Sequence, residues 1–305
     1  MIYTVTFNPA LDYVMNLKQL QYKDINRTES EQLYYGGKGI NVSVILSRLK
    51  VDNIALGFLA GFSGKKIEEM LNAENIKNDF VYLKKGYTRI NVKIKADEDY
   101  DINAQGPDIE LDELNALFDK FEKLKSGDFL VLAGSIPNSL PDDIYEEILA
   151  KLQNKGINFA VVVDATKNLL LNVLKYKPFL IKPNHHELGD VFGVEVKTEK
   201  EIAYYAKKLQ EMGARNVLVS RSKDGATLVD EFGEVHSMGN VPGKVLNPVG
   251  CGDSMVAGFV AGYSKTHDYK YALKLGSACG NATAFCPGLA DKDTIDKMLE
   301  SEYLK

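Results

Sequence analysis

The chain has 305 residues, 45% of them hydrophobic and 26% charged. That composition can bury a sizeable core and excludes a disordered or fibrous protein. A formal net charge of −5 excludes nucleic acid as the main partner, because no basic excess is present to neutralise phosphates.

From the N-terminus, "MIYTVTFNPALD" reaches Asn-Pro early and has neither a basic n-region nor a long apolar core, so a cytoplasmic location is expected. No window approaches roughly 18 consecutive apolar residues, and no membrane is expected among the partners. The apolar runs "IYTVTF", "FLVLAG", "FAVVVD", "FLIKPN" and "NVLVS" read as strands covered on both faces, as in a parallel sheet. Helical patterns at 38–49, 110–124, 142–154 and 199–212 lie between them. "LPDDIYEEILAKLQNKG" carries acidic start and glycine stop signals. The pattern predicts an α/β fold with a doubly wound, mostly parallel sheet.

Two stretches break it. "TRINVKIKA" alternates Ile90, Val92 and Ile94 with Asn91, Lys93 and Lys95, meets the turn "DEDYD" and returns as "INAQG", a hairpin with one wetted face. "YVMNLKQL" and "NRTESEQLYY" are a second β-like stretch. Together they predict a small β-sheet standing off the core, fed by insertions at about 12–35 and 88–105 of a single domain spanning 1–305. The residues after the strands are polar: Asn8 and Asp12, then Ser135, Asp164, Asn184 and Ser220. Each is individually a good turn or cap residue. Together they mark one rim, and open parallel sheets bind ligands beyond the carboxyl ends of their strands.

Nucleotide fingerprints fail. "GCGDSM" has Met255 where GxGxxG needs its third glycine, and no GK pair is followed by Ser or Thr. Three cysteines, Cys251, Cys279 and Cys286, lack CxxC spacing and read as reduced thiols. The adjacent His185 and His186 are expected to point in different directions, against a dedicated His/Cys metal site. In "NPVGCGDSMVAG", Cys251 at a helix start would have a lowered pKa, but a thiol nucleophile also needs a base, and no histidine is close in sequence. Alternatively Gly250 and Gly252 bare their amides at a helix N-terminus, an anion site. Asp253 beside it is then either a base for a hydroxyl attacking phosphorus or an acid complementing the helix dipole; spacing leaves both open.

"YGGKGINVS" (35–43) and "NPVGCGDSMVAG" (247–258) resemble the two signature motifs of the ribokinase-like sugar kinases, in their phosphofructokinase B branch. "KPNHHE" (182–187) resembles that family's NxxE motif, and the likeness runs in order through nearly the whole chain. The resemblance implies a ribokinase-like core with a β-sheet lid, and ATP and Mg²⁺ as cosubstrate and metal. It implies Asp253 as catalytic base, with the amides of Gly250, Cys251, Gly252 and Asp253 as anion hole. Asp12, Gly37, Lys38, Gly39 and Asn41 match sugar-binding positions, and Asn184 and Glu187 the pair that organises the metal. Lys182, Ser220, Ser222, Gly225, Val241, Lys244, Val245 and Asn281 fall where the family holds ATP. Cys251 stands where alanine or serine is commoner, and Asn247-Pro248 where ribokinases have Asp-Thr.

A neutral sugar requires no cations, whereas a buried phosphate dianion does. Lys38, Arg89 and Arg27 are the candidates, with Ser135 on the rim. The lid text and "FLIKPNHHEL" are most similar to the branch acting on fructose 1-phosphate, with tagatose 6-phosphate as alternative acceptor. Two other classes stay open: a sugar-phosphate-binding regulatory protein without chemistry, and a Cys251-dependent enzyme. Unpaired lid edges lead us to expect a homodimer through the lid.

Overall fold

The computed structural model describes residues 1–153, 156–165 and 167–304. In chain order the strands are β1 (Ile2–Thr6), β2 (Ala10–Asn16), β3 (Ser30–Gly36), β4 (Asn53–Ala60), β5 (Val81–Leu83), β6 (Arg89–Lys95), β7 (Asp99–Ile102), β8 (Phe129–Ala133), β9 (Ala160–Asp164), β10 (Leu180–Ile181), β11 (Asn216–Ser220), β12 (Ala226–Val229) and β13 (Val235–Met238). The helices are α1 (Lys38–Arg48), α2 (Gly61–Ala73), α3 (Leu111–Lys120), α4 (Ile144–Gln153), α5 (Lys167–Val173), α6 (His185–Phe192), α7 (Glu199–Glu211), α8 (Cys251–Thr266), α9 (Tyr269–Ala284) and α10 (Lys292–Leu299). The helix expected at 142–154 starts two residues late, and its last position lies outside the described residues.

Among the described residues the main sheet runs β13-β12-β11-β10-β9-β8-β1-β4-β5, parallel except for the β11-β12-β13 meander. β4, β5, β12 and β13 are strands beyond those expected. Successive side chains of β8 serve opposite faces: Leu130 and Leu132 pack with α3, α4 and α7, while Val131 packs with α1, α8 and α9. The continuous apolar runs follow from this, since both faces are covered. The chain leaves β1 for β4 on one side and returns to β8 on the other. The strand order therefore reverses around β1, and a crevice opens beyond its carboxyl end.

A second sheet, β3-β2-β6-β7, stands at that end, with β2 and β6 parallel at its centre. The return strand begins at Asp99, inside the stretch read as an acidic turn, so Asp99 and Asp101 pair with Lys95 and Lys93 across the ladder. Opposite charges in register make strand residues of a segment whose composition suggested a loop.

β1 also fixes where α1 begins. Thr4 Oγ1 and Ser43 Oγ lie 2.7 Å apart, and Ile40 N donates to Thr6 Oγ1 at 2.9 Å, so the strand caps a helix whose own N-cap is a glycine. A Cβ on Gly39 would lie 2.6 Å from both Val5 O and Thr6 Oγ1. Gly39→Ala should therefore push α1 off β1 and cost roughly 1–3 kcal/mol, read as a lower denaturant midpoint at unchanged m-value.

Candidate active site

Two helix N-termini converge on the crevice. α1 enters through Gly37 (φ 128°) and α8 through Gly250 (φ 81°), and neither N-cap glycine has a side chain to cap its helix. At α8, Ser254 N already donates to Gly250 O. The preceding amides, of Gly250 to Asp253, form the uncapped start of a 16-residue helix, with its partial positive charge beside them.

Asp253 occupies the third position of α8 and is 6% exposed. Asn41, one turn into α1, donates from Nδ2 to Asp253 Oδ2 at 2.7 Å. Burial first, then the nearby Asp164 carboxylate, pushes the Asp253 carboxyl up to about 6, against the pull of Lys38, the Asn41 bond and Lys182. A base with that affinity is ionised at neutral pH and still able to take a proton.

Asp164, at the end of β9, is in sequence only one of the rim residues, yet it organises the charges. Lys38 Nζ lies 3.0 Å and Lys182 Nζ 3.4 Å from its Oδ1. Burial opposes its ionisation, but Lys182 and Lys38 outweigh that and hold its carboxyl below the usual range. Lys182 also approaches the glycine loop: its Nζ would be 3.1 Å from a Cβ on Gly252. The two ammonium groups thus flank the amides of α8.

Asn184 and Glu187 form a capping box at α6: Glu187 N donates to Asn184 Oδ1 at 2.8 Å, and Asn184 N to Glu187 Oε2 at 2.7 Å. Glu187 lines the crevice. The buried Asp164 Oδ2 has no hydrogen-bond partner. Such spare carboxylate oxygens fit a hard divalent cation. Among the described residues, Asp230, Glu234 and His236 also bring ligand-type atoms within 4.8 Å. There Asp230 Oδ1 accepts from Phe232 N and Glu234 N while Oδ2 meets His236 Nε2 at 2.7 Å, which locks the β12–β13 turn.

The crevice has a volume of about 620 Å³. Asp12, Gly37, Lys38, Asn41, Arg89, Ser135, Gly250 and Asp253 line it, while Gly39 is buried behind them against β1. Arg27 is exposed and does not line it. The polar face of β6, read as wetted, roofs the crevice: Asn91 is buried and donates to Asp12 Oδ1 at 2.8 Å, and Lys93 lines the wall. Alternation identified the polar face, but which sheet it covers is tertiary information.

The expected nucleotide residues follow one another along a second rim. Asn184 pairs with Ser220 in a parallel bridge, Ser222 (φ 51°) leads to Gly225 at the β11–β12 turn, and a Cβ on Gly225 would lie 2.0 Å from Met238 O. Val241 N donates to Asn281 Oδ1 at 2.9 Å, and Lys244 and Val245 are exposed on the same loop.

Two local expectations are corrected. Cys251 is not an activated thiol: burial and then Asp253 push it up to about 11, outweighing the helix start. The His185 and His186 rings do not diverge; their centroids are 3.9 Å apart in the first turn of α6.

The model described as "pfkB family carbohydrate kinase" matches residues 5–296. A 1-phosphofructokinase from Bacillus subtilis (strain 168) is 45% identical, covering 98% of this chain and 97% of that one. A D-tagatose-1-phosphate kinase from Bacillus licheniformis is 38% identical over 97% of both chains. The crystal structure of phosphofructokinase-2 from Escherichia coli in complex with substrates and products superposes with a TM-score of 0.92 at 26% identity, over 98% of both chains.

If Asp253 accepts a proton, kcat/KM should fall as pH drops through about 6. Asn41→Ala removes a bond that favours the carboxylate, so this limb should move to higher pH. Stability has the opposite sign. Folding raises the Asp253 pKa from 3.8, so its contribution is present at low pH and lost as pH rises toward and through about 6. Asp253→Asn should stabilise the fold by roughly 1–3 kcal/mol at pH 7.5 and by almost nothing at pH 4. Thermal melts at the two pH values check this, and equal shifts would contradict the burial argument.

Proposed function

Since the chain belongs to the pfkB family of carbohydrate kinases, we propose that it transfers the γ-phosphoryl group of ATP to the 6-hydroxyl of fructose 1-phosphate, giving fructose 1,6-bisphosphate and ADP. The observation that carries this reading is the buried Asp253, held by Asn41 beside the uncapped start of α8. A pure sugar-phosphate binder gains nothing from a carboxylate aimed at an anion site. Both relatives named above are kinases of ketohexose 1-phosphates, which favours a phosphate on C1 of the acceptor.

Asp253 takes the hydroxyl proton as the oxygen attacks phosphorus, and Asn41 keeps the accepting oxygen oriented. The 250–253 amides, with Lys38 and Lys182, hold the charge that gathers on the transferring group. Mg²⁺ bound with ATP supplies further charge neutralisation, and Asp164, Glu187 and Asn184 are the residues that would hold it and its water. Lys182 and the rim from Ser220 to Asn281 take the nucleotide. The small sheet acts as a lid over the acceptor, excluding water that would otherwise hydrolyse ATP.

Asp253→Asn should lower kcat by roughly a thousandfold or more while ATP binding, read by calorimetry, stays within a few-fold. Cys251→Ala should remain active. ADP release with fructose 1-phosphate, fructose 6-phosphate, tagatose 1-phosphate and tagatose 6-phosphate in parallel decides the acceptor. A preference for tagatose 6-phosphate would replace the substrate and keep the kinase.

The lid also supports a homodimer. Edge strand β7 is exposed throughout, with Tyr100 and Ile102 41% and 59% exposed, and Leu33 on β3 is 42% exposed. Sedimentation should give twice the chain mass, and Ile102→Lys with Leu33→Lys should shift it to the monomer.

A further inference from the structure

Arg48, the last residue of α1, does not line the crevice, yet it ties together segments that do. Its side chain is 23% exposed, and both of its Nη groups are occupied. Nη1 donates to the carbonyls of Leu289 and Ala290 at 2.6 and 3.0 Å. Nη2 lies 2.7 Å from Glu74 Oε2 at the end of α2 and donates to Tyr35 Oη at 3.4 Å. Tyr35 in turn donates to Glu74 Oε1 at 2.8 Å, closing a ring of three side chains. None of these partners belongs to α1 itself.

The segment that the guanidinium grips backs the start of α8. A Cβ on Gly250 would lie 2.7 Å from Leu289 Cδ2 and 3.6 Å from Asn41 Nδ2, so Leu289, Asn41 and the glycine that opens α8 meet at one point. The next residue is stitched to the same helix. Ala290 N donates to Thr283 Oγ1 at 3.3 Å, and Thr283 Oγ1 lies 2.8 Å from Ser254 Oγ. On the other side, Tyr35 stands on β3 opposite Leu11, two residues before Gly37, where the chain leaves the small sheet for α1. Leu289 also packs against two core clusters, one with Leu11 and Ile40 and one with Val256 and Ala257. Arg48 thus joins the end of β3 to the backing of the anion loop from roughly 16 Å along α1 from Gly37. A planar fork with two outer nitrogens can serve both carbonyls, the hydroxyl and the carboxylate at once; a lysine's single nitrogen cannot.

We propose that Arg48 is a positioning residue for phosphoryl transfer. By holding the Leu289 and Ala290 carbonyls against Tyr35 and Glu74, it keeps Leu289 on Gly250 and so keeps the 250–253 amides aimed at the point beside Asp253. This rests on the kinase reading above and adds to it the residue that couples the small sheet to the anion loop.

Steady-state kinetics and residue-resolved amide exchange of Arg48→Met test it. The kcat should fall about 10- to 100-fold, the effect of a small displacement of the charge-holding amides. The KM values for ATP and fructose 1-phosphate should stay within about threefold. Exchange at Ser254, whose amide donates to Gly250 O, should speed up about tenfold relative to the amides of β11. Leu289→Ala should show both changes with Arg48 in place, and the double variant should lose no more than about twice what Arg48→Met loses. Arg48→Lys should not restore kcat. Glu74→Gln, which keeps the carbonyl contacts, should leave kcat within about twofold. An unchanged kcat in Arg48→Met with a lowered Tm would make Arg48 a structural residue and overturn the proposal. So would an equal loss in Glu74→Gln, full activity in Arg48→Lys, or losses that multiply in the double variant. If Arg48→Met does not fold, Leu289→Ala decides: both changes support the proposal, and unchanged kcat and exchange overturn it. A wild type that turns over none of the four ketohexose phosphates overturns the kinase reading alone. Faster Ser254 exchange in Arg48→Met then still supports the grip on the anion loop, and unchanged exchange overturns it.

Discussion

The hydrogen bond from Asn41 to Asp253 is the contact on which the site depends. It joins the first turns of α1 and α8, elements 212 residues apart in the chain, and can form only if both helices begin over the same end of the sheet. β1 enforces that for α1: Thr4 and Thr6 reach its backbone and its second turn, and the absence of a side chain at Gly39 lets strand and helix touch. α8 is held by its long contact with α9, where Phe259 packs close to Gly276, and Phe259 and Val260 are buried in one cluster with the sheet residues Val131 and Leu180. Once both starts are fixed, their amides and dipoles face one point, and the carboxylate between them is desolvated enough to behave as a base.

Charge is arranged around that point so that no group is buried alone. Asp164 would be prohibitive by itself, as would Lys182; with Lys38 they form a cluster whose members sustain one another. The repulsion of Asp253 by Asp164 is the cost of this arrangement, and it raises the proton affinity of the group proposed as the base. Function and stability therefore pull apart at Asp253. The small sheet follows the same logic with weaker forces, lying over the crevice through Arg89 and Asn91 and leaving its own outer strands open.

Much of this was legible in the chain. Apolar runs without alternation specified a covered parallel sheet, strict alternation in 88–96 marked a separate small sheet, and glycines before an acid at a helix start marked a candidate anion site. What was misjudged depended on neighbours distant in sequence. The helix start alone would lower the Cys251 pKa, but burial and Asp253 outweigh that field. Adjacent spacing alone would part His185 and His186, but the first turn of α6 brings their rings together. Asp99 and Asp101 looked like turn residues until Lys95 and Lys93 were found opposite them.

Layer architecture, family and the carboxylate beside the glycine loop can be read from the chain, because periodicity and motif spacing are local properties. How the charges are shared is settled by the packing of distant segments. Whether a lysine is held by a neighbouring carboxylate or remains free for a ligand depends on distances between segments that the chain order does not encode. Lys38 in a glycine motif and Lys93 in a strand of the small sheet are equally plain as letters; the fold pairs the first with the buried Asp164 and the second, at the crevice wall, with the half-exposed Asp101.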